Sequence, residues 1–130
     1  KRLDLHWFFV VYYSMRKRGN MNETAMHDSA MSDLLIGINN KFKSWNPSKT
    51  YKPDGLVLSI KPGRKFDKII SESSVWGFVA KKNGVFKGIP YLVGDVFKAA
   101  GWNAPAKHVR GSIFDGSISW YDWTGPNYLK

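Results

Sequence analysis

Lys107, His108 and Arg110 fall within four consecutive positions and run into Gly111. Two fixed cations and an imidazole thus stand beside a backbone that can turn its N–H groups toward an anion. A second basic run, Gly63-Arg64-Lys65-Phe66-Asp67-Lys68, places three more cations around one aromatic ring. Guanidinium groups grip phosphate oxygens in pairs and ammonium groups act as point charges, while single-stranded bases need ring faces to stack on. Trp76 and Phe78, among the basic strands, and Trp120 and Trp123, in the aromatic tail, are the candidate faces. The chemistry these residue types suit is recognition of nucleic acid without catalysis, with Arg64, Lys65, Lys68, Lys107, His108 and Arg110 as phosphate contacts. The plainer alternative is a set of solvated loops whose aromatics fold back over a sheet.

Catalytic patterns are sparse. The chain carries no phosphate-cradling glycine loop, no dinucleotide fingerprint, no zinc-protease helix motif and no nucleophile elbow. His6, His27 and His108 lack metal-ligand spacing. His108, Ser112 and Asp115 could be named a nucleophile set, but they share one short segment with no separate element to orient them. Asp67, Glu72, Asp95 and Asp115 would have to gather from distant positions to make a metal-dependent nuclease, the less favoured enzymatic alternative. With no cysteine there is no disulfide, thiol nucleophile or cysteine-bound metal. No catalytic residue, metal site or cofactor is therefore expected. A net charge of +10 over 130 residues makes polyanions the natural partners, either nucleic acid or an acidic protein.

These groups have to be positioned by a small fold. Met31, Leu34, Leu35, Ile38 and Phe42 recur at helical spacing between Met26 and Trp45, and Asn46-Pro47-Ser48 stops the pattern. Pro53-Asp54-Gly55 is a turn signal leading into a strand over Leu56 to Ile60. Lys61-Pro62-Gly63-Arg64-Lys65 is a basic turn before a strand over Phe66 to Ile70, and Val75 to Ala80 is apolar on both alternating faces, as a central strand is. Lys82-Asn83-Gly84 signals a hairpin, and Pro90 limits the strand begun at Val85-Phe86-Lys87. Val96-Phe97-Lys98 repeats that triplet. From Phe97 to Asp115 the expected arrangement is anchor, elbow, basic cluster, anchor. Ala99, Ala100 and Gly101 leave room for a buried Trp102, and Pro105 fixes an elbow behind it. The expected fold class is α+β, one amphipathic helix on a mostly antiparallel sheet of roughly four to six short strands.

Gly-Trp-Asn-Ala-Pro-Ala-Lys-His-Val-Arg-Gly-Ser-Ile-Phe-Asp, from Gly101 to Asp115, and Gly63-Arg64-Lys65-Phe66-Asp67-Lys68-Ile69-Ile70 upstream resemble a family of small uncharacterised proteins of tailed phages and environmental viruses. The likeness covers about half the chain, from Gly63 to Asp115. It departs at Gly101, Asn103 and Ser112, where the family pattern has Ser, Lys and Asn. Loss of a lysine at Asn103 weakens the case for a maximally basic cluster. The resemblance implies a viral origin and a fold unit, and no chemistry.

Residues 1–20 are apolar from Leu3 to Tyr13 and then basic at Arg16-Lys17-Arg18. The apolar part falls far short of the roughly 20 residues that span a bilayer, and it has no small-residue cleavage site. This segment is expected to be a fragment or an extended start, and residues 21–130 a single domain that keeps 15 basic against nine acidic residues. The expected protein is thus a small basic viral accessory protein of the infected host cytoplasm that binds nucleic acid. A virion-associated or host-protein interaction module is the alternative.

Overall fold

The helical spacing folds as one element, α1 (Glu23–Trp45), in a computed structural model that describes residues 23–128. The segment 1–20, expected to be a fragment or extended start, lies outside the described residues. Met26, Ala30, Met31, Leu34, Ile38 and Phe42 form the buried stripe of α1. Glu23 in its first turn and Lys43 in its last complement the helix dipole. Pro47 disfavours helical geometry at Asn46, whose N–H closes the last turn on the Phe42 carbonyl at 2.9 Å.

Among the described residues nine strands follow: β1 (Leu58–Lys61), β2 (Phe66–Ser71), β3 (Ser74–Ala80), β4 (Gly84–Phe86), β5 (Ile89–Tyr91), β6 (Asp95–Gly101), β7 (Ala104–Ser112), β8 (Tyr121–Asp122) and β9 (Gly125–Pro126). Five of them make one sheet in the order β1-β2-β3-β6-β7, antiparallel at every pairing. The class is α+β, as the sequence predicts. Between β4 and β5, Lys87 and Gly88 take positive φ angles of 51° and 80°. Two consecutive left-handed residues are what a tight two-residue hairpin requires.

Strand alternation gives the sheet a core on each side. Val79 faces Val96 and Phe78 faces Phe97 in register. Val79 and Val96, with Ile69, pack beneath Leu34, Ile38 and Phe42 of α1. Phe78 and Phe97 point the other way and pack with Ala80 and Tyr91, sealed by Phe66, Phe86 and Val109. The β4–β5 ribbon supplies Phe86 and Tyr91 to this second core. The strands β8 and β9 lie on the α1 side, where Tyr121 joins the first core and the Trp76 indole donates to the Asp122 carbonyl at 3.0 Å. No helix of the described residues is long and apolar enough to cross a membrane.

Two expectations for Phe97 to Asp115 are corrected. The stretch is the β6–β7 hairpin, not an elbowed surface loop, because Ala99 pairs with Pro105 and Gly101 with Ala104. Proline is tolerated there because β7 is an edge strand of the sheet. Trp102 and Asn103 form the hairpin tip, and Trp102 is 49% exposed. The small residues before it are strand positions and make no pocket for its ring.

Candidate nucleic-acid interface

Three segments meet at an open groove of about 390 Å³ on the sheet face away from α1. The end of β1 contributes Lys61, and the β1–β2 turn contributes Arg64 and Lys65. Phe66 and Lys68 of β2 and Phe78 of β3 line its base, and Asn103 and Pro105 of the β6–β7 hairpin form the far wall. The volume lies toward the lower end of small-ligand sites, which run from about 300 to 1,000 Å³. No Asp or Glu lines it.

The basic turn is fixed by contacts that leave its cations outward. A Cβ at Gly63 would lie 2.4 Å from the Phe66 carbonyl oxygen, so only glycine fits. The Lys81 ammonium donates to the Gly63 carbonyl at 2.8 Å and sits 3.4 Å from Asp67 Oδ1. That contact is an ion pair without hydrogen-bond geometry, since Asp67 Oδ1 has no hydrogen-bond partner. The Lys81 N–H also bonds the Lys65 carbonyl at 3.0 Å. Lys81 thus acts as a brace, while Lys61, Arg64 and Lys65 remain exposed.

Lys68 is different. It pairs in register with Phe78, so it projects from the same side of the sheet, and only 7% of its surface is exposed. Its ammonium donates to Asn103 Oδ1 at 3.1 Å and lies 4.5 Å from the centroid of the Trp102 indole. The ion pairs seen among the described residues join Lys52 to Glu72 and Lys81 to Asp67, and neither involves a groove cation.

The remaining candidates go elsewhere. Lys107 and His108 are exposed on β7 and do not line the groove. Arg110 is the extra residue where the β6–β7 register shifts between Val96 and Phe97. Its Nη1 donates to the Asn127 carbonyl at 2.9 Å, and its guanidinium carbon lies 5.9 Å from the Tyr128 ring centre. Lys98 sits 4.2 Å over the same ring. Burial, and then the neighbouring Arg110 charge, hold its ammonium below the ordinary lysine value. Arg64 and Lys65 therefore share a site with Lys68, whereas Arg110 braces the C-terminal segment.

The stacking candidates need correction too. Trp76 and Phe78 are 3% and 4% exposed, too little for a base to stack on either ring, although the edge of Phe78 borders the base of the groove. Trp120 is half-buried over Gly111, where a Cβ would come within 2.3 Å of its ring. Trp123 lies 4.8 Å from Trp45 and 5.2 Å from Phe42, on the α1 side. The exposed ring beside the groove is instead Trp102, together with Asn103 a site residue the sequence did not announce. The available signal was two strand-like segments meeting at a two-residue gap.

The acidic residues do not gather. Glu72 bonds Lys52, Asp95 accepts from the Leu92 N–H, and Asp115 accepts from the Ser117 N–H. Among the described residues no group of three His, Cys, Asp or Glu is placed to hold a metal. Ser112 Oγ accepts from the Phe114 N–H at 3.1 Å, inside the protein, while His108 is exposed.

The chain belongs to a family of unknown function, DUF7717, whose pattern matches residues 9–129. No curated protein and no solved structure matches it.

Proposed function

We propose that the protein binds nucleic acid, without catalysis, through the groove between the β1–β2 turn and the β6–β7 hairpin. The observation that carries this is the convergence of Lys61, Arg64, Lys65 and Lys68 on one groove that no acidic residue lines. Phosphate contacts of this kind dominate affinity and release counterions, which makes binding salt-dependent. The likeness of Gly63 to Asp115 to phage and environmental-virus proteins supports a viral accessory role in the infected host cytoplasm. The test is a titration of labelled single-stranded DNA, duplex DNA and RNA at two salt concentrations with the native chain, Arg64→Ala and Lys65→Ala. Each substitution is expected to lower the slope of log affinity against log salt by about one. An unchanged slope in both variants rejects the proposal.

One observation favours a docking role instead, as a virion-associated or host-protein module. Trp45 and Tyr51 are 58% and 52% exposed and cluster with Trp123 over Phe42. Grouped exposed aromatics mark protein contact surfaces, and a basic chain suits an acidic protein. Salt-independent oligonucleotide affinities would move the balance to this role.

A further inference from the structure

We infer that the groove and the hairpin tip beside it bind a single strand, with a phosphate on Lys68 in the groove and a neighbouring base of the same strand on the outer face of Trp102. This rests on the proposed nucleic-acid role and names the form of nucleic acid recognised.

The first reason is the state of Lys68. Lysines are almost never this buried unless paired, and a charge withdrawn from water needs compensation. An ammonium has three N–H donors. One goes to Asn103 Oδ1, and the Trp102 ring provides a diffuse negative face. Among the described residues its remaining donors meet no other hydrogen-bond acceptor, and no carboxylate forms an ion pair with this ammonium. A phosphate oxygen in the groove completes its coordination. Lys61, Arg64 and Lys65 at the rim hold neighbouring phosphates.

The second reason is Trp102. The two-residue turn and the Lys68 contact fix the indole beside the groove, with one face on the ammonium and about half its surface in solvent. A ring held this way is a platform for another flat ring. The Asn103 amide nitrogen, whose oxygen already faces Lys68, is left as a donor at the same wall. A duplex keeps its bases paired and stacked on each other, so it cannot fill this platform.

The experiment labels the full chain with 5-fluorotryptophan and assigns the Trp102 fluorine resonance by its loss in Trp102→Phe. Oligothymidylate, a thymidine monophosphate, thymidine, inorganic phosphate and a duplex are then titrated, with binding of the oligomers followed separately by anisotropy. Oligothymidylate should shift the Trp102 resonance more than the monophosphate, thymidine or phosphate, and the duplex should leave it in place. Trp102→Leu should weaken oligothymidylate binding about 5- to 150-fold. Lys68→Met should weaken it at least about tenfold while the protein still melts cooperatively. Single-strand binding with an unmoved Trp102 resonance overturns this inference and leaves the groove proposal standing. Absence of binding to any oligomer overturns both.

Discussion

Lys68, on the second strand, holds its ammonium 4.5 Å over the indole of Trp102, at the tip of the β6–β7 hairpin. This contact ties the hairpin tip across the sheet to β2, which it does not neighbour in strand order. Trp102 and Asn103 therefore stand as a wall rather than as a free turn.

Burying an incompletely compensated charge is costly, and replacing it with a well-packed apolar side chain is often neutral or stabilising. Lys68→Met should melt at or above the native temperature. A drop of several degrees in calorimetry would show that Lys68 holds the fold together and is not kept for a ligand.

Trp102→Ala should be mild. A cation–π contact contributes about 0.5–1 kcal/mol at an exposed site and about 2 kcal/mol when desolvated, whereas truncating a buried tryptophan costs about 3–5 kcal/mol. A urea-unfolding loss below about 3 kcal/mol is expected from the half-exposed ring, and a larger one would place the ring in the core.

Residues whose environment is set locally were legible in the sequence. The spacing of Met31, Leu34, Ile38 and Phe42 gives the helix, and the apolar run Val75 to Ala80 gives the strand at the centre of the sheet. The Gly63 turn was legible because proline, glycine and charge coincide there. Trp102 was misjudged because Trp-Asn is not a usual tight-turn pair, and because Pro105, Lys107, His108 and Arg110 interrupt strand alternation. Those interruptions are what an edge strand carries to discourage further pairing. The burial of Lys68 was hidden for a similar reason. A lysine in a strand reads as solvent-facing until the register places it beside Phe78.

Arg110→Ala should lower the melting temperature and leave the salt slope of oligonucleotide binding unchanged. Its guanidinium holds the Asn127 carbonyl and shares Tyr128 with Lys98. Arg64→Ala should do the reverse, with melting preserved and the slope reduced. Thermal melts and two-salt titrations on both variants check this, and a slope that falls with Arg110→Ala would return that residue to the binding face.

Glu72, in the β2–β3 turn, accepts from the Lys52 ammonium at 2.8 Å and from the Val57 N–H. The lysine first and the backbone N–H second hold its carboxyl below the ordinary value of 4.5. A group with a depressed folded value contributes stability above its unfolded value and loses it as pH falls through the folded one. Acidification below about pH 4.5 should therefore weaken the fold partly through this group. Glu72→Gln should show a shallower fall on that limb. Identical acid limbs for the two proteins would remove Glu72 from the account.

A sheet covered on both faces sets an order in which its backbone amides meet solvent. From Trp76 to Ala80 every residue of β3 is buried, so its amide protons should exchange with deuterium only when the whole chain opens. The hairpin tip and the Gly63 turn lie at the margins of this slow centre. Their amides should exchange without opening of that centre, so the proposed single-strand binding should slow exchange at Trp102 and Arg64 and leave it unchanged at Val79.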